Sequence, residues 1–183
     1  MAESDRTKRL FLVLWAAGMV GVFSLLLLDL EALIAMVPAE YAPRDEIPHR
    51  LVLKLASIVQ PAILTTVAVM VGIGLSPKLG LHSPVAEAFA ERGDILVALR
   101  HQILPGIVSG ILGGAAIVGS WLLARPYINE EFAARSEAFN KLVPAPMRFL
   151  YGGLTEEVLL RWGLMTFLVW LIWRISRRGS ERP

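Results

Sequence analysis

The chain has 183 residues, of which 55% are hydrophobic and 19% are charged, with a formal net charge of +2 and no cysteine. The apolar share is far above that of a typical soluble domain, so the composition indicates a membrane protein. The absence of cysteine excludes disulfides. The small net charge, with basic residues at helix ends and not in one patch, argues against nucleic acid as a partner.

The first predicted span covers residues 10–30, where an uncharged run extends from Leu10 to Leu28. This run is close to the roughly 20 residues that a helix needs to cross the hydrocarbon core. Basic residues before it resemble the start of a secretory signal, but the apolar run is longer than a signal core and no small-x-small cleavage site follows. We therefore predict a retained membrane helix.

The second and third predicted spans cover residues 52–75 and 103–124, on two further uncharged runs. Pro61 lies inside the second span, where a proline is expected to produce a kink. The third span contains "GILGGAAIVGS", and small residues let membrane helices approach closely. We expect the third span to pack tightly against a neighbour.

Two connecting segments are predicted to form helices on the membrane surface. In "INEEFAARSEAFNKLV", Asn129 can cap a helix that Pro144 ends. One face of this helix carries residues at three-to-four spacing, namely Phe132, Ser136, Phe139 and Val143. In "PVAEAFAERGDILVALR", Gly93 interrupts the pattern, which predicts one short helix followed by the start of the third span.

The fourth predicted span covers residues 149–173 and completes an all-α membrane protein with about four transmembrane helices plus interfacial helices. We see no internal repeat or second domain, so residues 1–183 form a single membrane domain. Basic residues precede the first span and follow the fourth. Because basic residues in short flanking segments favour the cytoplasm, both termini are predicted to be cytoplasmic.

The fourth span also carries three charged residues, Glu156, Glu157 and Arg161, in "TEEVLLRWGL". Glu157 and Arg161 are four residues apart, in the favourable order for an ion pair on one helix face. In an α-helix Glu156 points about 100° away, on a face shared with Gly152 and Gly163. Glu156 is therefore expected to face another helix or a water-filled cavity.

Energetics distinguish Glu156 from the other two residues. A charge near the centre of a bilayer costs about 2.5 to 3.5 kcal/mol on insertion scales, and the Glu157–Arg161 pair would cancel one charge of each sign. Glu156 would then have no countercharge in a low-dielectric surrounding, which suits a general base that takes a proton from water. The alternative is a polar network that only fixes helix packing. Ionisable residues inside membranes are functional by default, which favours the first interpretation.

The stretch "TEEVLLRWGL" resembles the first motif, EExxxR, of the CPBP family of intramembrane proteases, which includes type II CAAX prenyl endopeptidases and bacteriocin-processing or self-immunity relatives. The resemblance implies that Glu156 activates the attacking water and that Glu157 and Arg161 support its placement, which makes all three candidate catalytic residues. It also implies hydrolysis of a peptide bond in a peptide or protein substrate, with a prenylated CAAX tail as one candidate. Whether a divalent metal such as zinc takes part in the complete family site is left open.

The chain departs from this family in its histidines. The family places FxxxH and then HxxxN or HxxxD on later helices, whereas His49, His82 and His101 all precede the glutamates and fit neither motif. His49 and His82 are predicted to be solvated in loops and His101 to lie at the membrane interface. No residue is assigned as a metal ligand, since the chain lacks HExxH and any comparable ligand spacing.

Two functions follow from these observations. In the first, the chain is the N-terminal, glutamate-bearing part of a CPBP-type intramembrane endopeptidase. We then expect no hydrolysis and no stoichiometric zinc for a chain of this length, and further spans with the histidine motifs encoded downstream. In the second, the chain is a non-catalytic four-helix membrane protein that uses the three charged residues for packing or for binding a partner subunit. Membrane lipid is a partner in both.

Overall fold

The computed structural model describes residues 2–37 and 50–176, and every regular element in those ranges is helical. The all-α prediction is confirmed. The α-helices are α1 (Ala2–Ser24), α2 (Leu30–Ala35), α3 (Arg50–Leu79), α4 (Pro84–Glu91), α5 (Ile95–Ala124), α6 (Glu130–Leu142), α7 (Ala145–Leu150) and α8 (Thr166–Ser176). Two π-helical segments join α7 to α8, and His49 lies outside the described residues.

Within residues 2–37 and 50–176, four helical stretches are long and apolar enough to cross a membrane. They are Ser4–Leu27, Leu51–Leu79, Ile95–Tyr127 and Ala145–Ser176. Each matches a predicted span, although the third begins earlier than residue 103. The reason is Asp94, whose side chain accepts hydrogen bonds from the backbone N–H groups of Leu96 and Val97 and so starts the helix. We call Ala145–Ser176 the fourth span.

The helices α1 and α3 and the fourth span pack against one another, and we call them the three-helix bundle. Leu14, Val69 and Val158, one from each, meet in its buried core. The helices come close at glycines, because a Cβ atom at any of these positions would lie less than 3.0 Å from an atom of another helix. The glycines are Gly18, Gly21, Gly72 and Gly163.

Polar side chains also join the helices of the bundle. The Thr155 hydroxyl is fully buried and donates to the carbonyl oxygen of Gly18 at 2.7 Å. The indole N–H of Trp15 donates to the Thr66 hydroxyl at 3.0 Å. These hydrogen bonds hold both α3 and the fourth span to α1. The helix α3 continues through Pro61, and the predicted kink there stays a prediction.

The helix α5 stands apart from this bundle. Its backbone lies close mainly to α4, which precedes it, and to the short 3-10 turn Arg125–Tyr127 that follows it. No residue of α5 is buried by the described part of the chain. A Cβ added at any of its glycines would meet no described atom within 4 Å. The predicted tight packing of this glycine-rich helix is therefore wrong for the residues that the structure describes.

The two surface segments form the predicted helices. Arg92 ends α4 in the left-handed conformation, with φ of 58°, and α5 begins three residues later, as the interruption at Gly93 predicted. The Asn129 side chain caps α6 by accepting from the backbone N–H of Glu131 at 2.8 Å. The helix α4 is tied to α1 by ion pairs from Arg6 to Glu87 and Glu91. Their position on a membrane surface stays a prediction.

Candidate functional site

Glu156, Glu157 and Arg161 lie in a part of the fourth span with an unusual helical conformation. The segments Tyr151–Thr155 and Glu157–Met165 are π-helical, with Glu156 between them. A π-helix joins residues five apart by hydrogen bonds and is normally a single turn, often at a functional site. Its occurrence over the whole "TEEVLLRWGL" stretch distinguishes this part of the chain from the α-helical spans.

The wider turn places the charged residues on one strip of the helix surface. Both glutamates and Arg161 line an open depression of about 370 Å³, together with Gly152, Leu160 and Met165. We call these six residues the polar strip. The sequence predicted that Glu156 would point away from the other two charged residues, but all three line the same depression. The reason is that a π-helix has more residues per turn than the 3.6 of an α-helix.

The same geometry corrects the expected surroundings of Glu156. Gly152 lies beside it as predicted, since a Cβ there would be 3.8 Å from Oε2 of Glu156. Gly163 does not share its face: it is buried and packs against Ala68 of α3, whereas Glu156 is exposed. Two positions seven residues apart share a face in an α-helix but not in the wider π-helix. No helix in the described part of the chain covers Glu156.

The predicted ion pair is confirmed. The Glu157 Oε1 and Arg161 Nη1 atoms are 2.7 Å apart, and the two side chains are 49% and 72% exposed, respectively. Glu156 has no hydrogen bond or ion pair with another described residue. The phenol group of Tyr151 is close enough for an electrostatic interaction with the Glu156 carboxylate. The cluster is therefore one paired acid and base beside one unpaired carboxylate.

The polar strip does not hold the bundle together. The bundle is contacted by the opposite side of the fourth span, where Thr155, Val158 and Gly163 are buried. Among the described residues, Glu157 and Arg161 pair with each other, and no hydrogen bond or ion pair joins a charged group of the strip to another helix. Helix packing within this part of the chain therefore does not explain them, and they are available to water, a substrate or a partner.

A groove of about 1260 Å³ adjoins the polar strip and separates α5 from the fourth span. Glu157 and Arg161 form part of one wall, and His101, Gln102 and Ser109 form part of the other. His82 also lines the groove, and its ring Nδ1 is 3.3 Å from Glu87. The structure thus brings two histidines to the same groove as the ion pair, although they precede it by more than fifty residues. No spacing in the sequence signals this arrangement.

A zinc ion does not fit the described residues. No group of three His, Cys, Asp or Glu side chains in residues 2–37 and 50–176 is placed to hold a metal. A catalytic zinc site needs about three protein ligands and a water, whereas His82 contacts Glu87 and Glu157 contacts Arg161.

Comparisons of the chain with protein-family models, with curated proteins and with solved structures found no match. The likeness to the CPBP motif rests on Glu156, Glu157 and Arg161 with the residues around them.

Proposed function

We propose that this multi-pass membrane protein supplies the carboxylate base of an intramembrane endopeptidase of the CPBP type. The observation that carries the proposal is Glu156, an exposed and unpaired carboxylate within the fourth span, beside the Glu157–Arg161 pair. Ionisable residues at this depth are costly and are generally functional. No hydrogen bond or ion pair of Glu156, Glu157 or Arg161 joins them to another helix of the described chain, so these residues show no structural role there.

In the proposed reaction, Glu156 takes a proton from water as the water oxygen bonds to the carbonyl carbon of a peptide. The proton then passes to the amide nitrogen as the carbon–nitrogen bond breaks, which releases an acid and an amine. Arg161 neutralises Glu157 at 2.7 Å, so that the two carboxylates of the strip do not carry adjacent unpaired charges. Glu156 is the candidate catalytic residue, and Glu157 with Arg161 are candidate positioning residues.

A second function is favoured by the exposure of the three charged side chains of the polar strip. In a bilayer, a strip that no helix of the described chain covers can be satisfied by a partner subunit with complementary polar groups. In this case the protein is non-catalytic, and Glu156 forms a hydrogen bond to the partner. The catalytic function requires Glu156 to accept a proton, whereas the non-catalytic function requires it to form a hydrogen bond to a partner.

The test is cleavage of a quenched fluorescent peptide library, with prenylated and unprenylated members, by native membranes that contain the natural protein. Under the catalytic proposal, Glu156→Gln abolishes cleavage without changing the amount of protein, because the amide cannot accept the proton. Glu130→Gln, which changes a surface acid of α6, is the matched control and leaves cleavage unchanged. Cleavage that is equal in Glu156→Gln and wild type contradicts the catalytic proposal.

The partner proposal is tested by cross-linking. Leu160 lies on the polar strip and the chain has no cysteine, so Leu160→Cys provides a single reactive thiol. A cross-linked partner that is lost in the added Glu156→Gln change supports the non-catalytic function. A cross-link that is unaffected by this change argues against recognition through Glu156.

We further propose that both termini face the cytoplasm, as the basic residues at the two ends of the chain favour. Four crossings permit this arrangement. Reporter fusions after Asp5 and after Pro183 should report the cytoplasm, and a fusion at Asn129 should report the opposite side. A C-terminal fusion on the outside would contradict the four-span topology.

A further inference from the structure

The groove beside the polar strip is long enough to reach about halfway across a membrane. Its wall on α5 runs from Leu99 to Gly110, and its wall on the fourth span runs from Glu157 to Val169. The α5 wall is α-helical and therefore about 16 Å long, close to half of the roughly 30 Å hydrocarbon core. Successive spans run in opposite directions, so the start of α5 and the end of the fourth span lie at the same membrane interface. The groove therefore leads from that interface to the ion pair at mid-depth.

Polar side chains recur along the whole groove. His82 and Ser83 lie at its mouth, in the segment before α4. Further polar residues follow with increasing depth, in the order His101, Gln102, Ser109 and the Glu157–Arg161 pair. The two walls belong to elements distant in sequence, so this arrangement is produced by the fold. Ser109 donates to the carbonyl oxygen of Gly106 at 3.2 Å, but among the described residues His101 and Gln102 have no hydrogen-bonding partner. A groove filled only by lipid tails would leave these two side chains unsatisfied.

The ion pair needs a polar medium at its depth. Arg161 is 72% exposed and Glu157 is 49% exposed near the middle of the fourth span. A charged group there costs at least about 2.5 kcal/mol against hydrocarbon, and water in the groove removes most of this cost. Because α5 stands apart from the fourth span, the structure provides room for such water.

We infer that the groove is a water-filled passage from the side of the membrane on which α4 lies to the polar strip. Water and small hydrophilic solutes enter along it, between α5 and the fourth span. This inference goes beyond the proposed hydrolysis, since the passage is hydrated whether or not Glu156 is a base. If Glu156 is a base, the passage supplies its water.

The test uses pairs of adjacent cysteines, one inside the groove and one outside. Ser109 and Val169 line the groove, whereas their neighbours Val108 and Leu168 lie outside it and are 48% and 44% exposed. The chain has no cysteine, so each variant contains one thiol. A charged, membrane-impermeant thiol reagent reacts with the thiolate, which forms in water but not in hydrocarbon.

In proteoliposomes, Ser109→Cys and Val169→Cys should react at least about tenfold faster than Val108→Cys and Leu168→Cys, when the reagent is on the side of α4. Equal slow reaction at all four positions shows a groove closed by lipid or protein and overturns the inference. Equal fast reaction shows that α5 is bathed in water on every side and also overturns it. Hydrolysis is measured separately, so a negative result here does not depend on the proposed enzymatic activity.

A second variant tests the route itself. Gly106 lines the groove between Gln102 and Ser109, and a Cβ there meets no described atom within 4 Å, so Gly106→Trp can place its side chain in the passage. Added to Ser109→Cys, it should slow the reaction of the introduced thiol severalfold. Gly113→Trp is the matched control, because Gly113 also has free space but lies outside the groove. If both tryptophans, or neither, slow the reaction, the groove is not the route.

Discussion

Glycines lie in two apolar regions of this protein with opposite surroundings. In the three-helix bundle, a Cβ at Gly18, Gly21, Gly72 or Gly163 would lie less than 3.0 Å from a neighbouring helix. In α5, a Cβ at Gly106, Gly110, Gly113, Gly114 or Gly119 would meet no described atom within 4 Å. Small residues permit close helix packing, but they do not cause it. Whether a glycine lies at a close contact depends on whether a complementary helix surface is next to it.

The difference also explains the position of the polar strip. The fourth span turns its small and buried residues, such as Gly163 and Thr155, toward α1 and α3, and the three charged residues of the polar strip lie on the other side. That side borders the groove beside α5. The unpacked glycine-rich helix forms one wall of this groove, and the Glu157–Arg161 part of the polar strip belongs to the other wall.

The largest expected effect contrasts a packed glycine with an unpacked one. Gly163→Leu should destabilise the protein by about 3 kcal/mol, the upper end for overpacking, because the new side chain meets the backbone of α3 at Ala68. Gly113→Leu should change stability by less than about 0.5 kcal/mol. Thermal and SDS unfolding in detergent measure both. Equal losses would mean that α5 packs as tightly as the bundle.

The ion pair on the polar strip should come next. Arg161→Leu leaves Glu157 without its countercharge and should cost on the order of 2 kcal/mol. Glu156→Gln keeps the hydrogen-bonding groups at an unpaired position and should fold nearly as well as wild type. Membrane accumulation and thermal stability of the two variants are compared. Equal values would contradict the division of roles between Glu156 and the pair.

Two buried threonines of the bundle differ in whether their hydroxyl groups are hydrogen-bonded. Thr155 and Thr65 are both fully buried, but the Thr155 hydroxyl donates to Gly18 and that of Thr65 has no described partner. Thr155→Val should therefore cost about 1 kcal/mol. Thr65→Val should be neutral or slightly stabilising, since it removes an unsatisfied hydroxyl. A larger loss for Thr65→Val would indicate a partner for its hydroxyl.

The smallest effect is expected at the surface end of α1. Arg6 is 54% exposed and pairs with Glu87 and Glu91 of α4, so Arg6→Gln should cost less than about 1 kcal/mol. The loss should shrink at high ionic strength because salt screens exposed charges. Arg135→Gln, which breaks the exposed Glu131–Arg135 pair within α6, is the control for a local ion pair. A salt-independent loss at Arg6 would indicate that it positions α4 by packing.

The sequence predicted the helical elements well because their signals are local. Length and hydropathy identify the four spans, and side-chain caps identify the starts of helices, as at Asn129. The pairing of Glu157 with Arg161 was also predictable, since it needs only a spacing of four residues. The CPBP likeness was read from the same short stretch and stays a proposal.

Other features depended on contacts between distant residues. A helical wheel with 3.6 residues per turn predicted that Gly163 lies beside Glu156. In the structure this segment is π-helical, and Gly163 instead packs against Ala68 of α3 on the opposite side. His101 and Ser109 came to face the Glu157–Arg161 pair because α5 stands beside the fourth span, which no local pattern encodes. Composition and periodicity determined that this chain forms membrane helices and which charges they contain, because each helix satisfies its own backbone in lipid. Only the tertiary structure decided which helices pack together, which glycines lie at close helix contacts and which surface the charged residues occupy. These outcomes depend on side-chain contacts between helices.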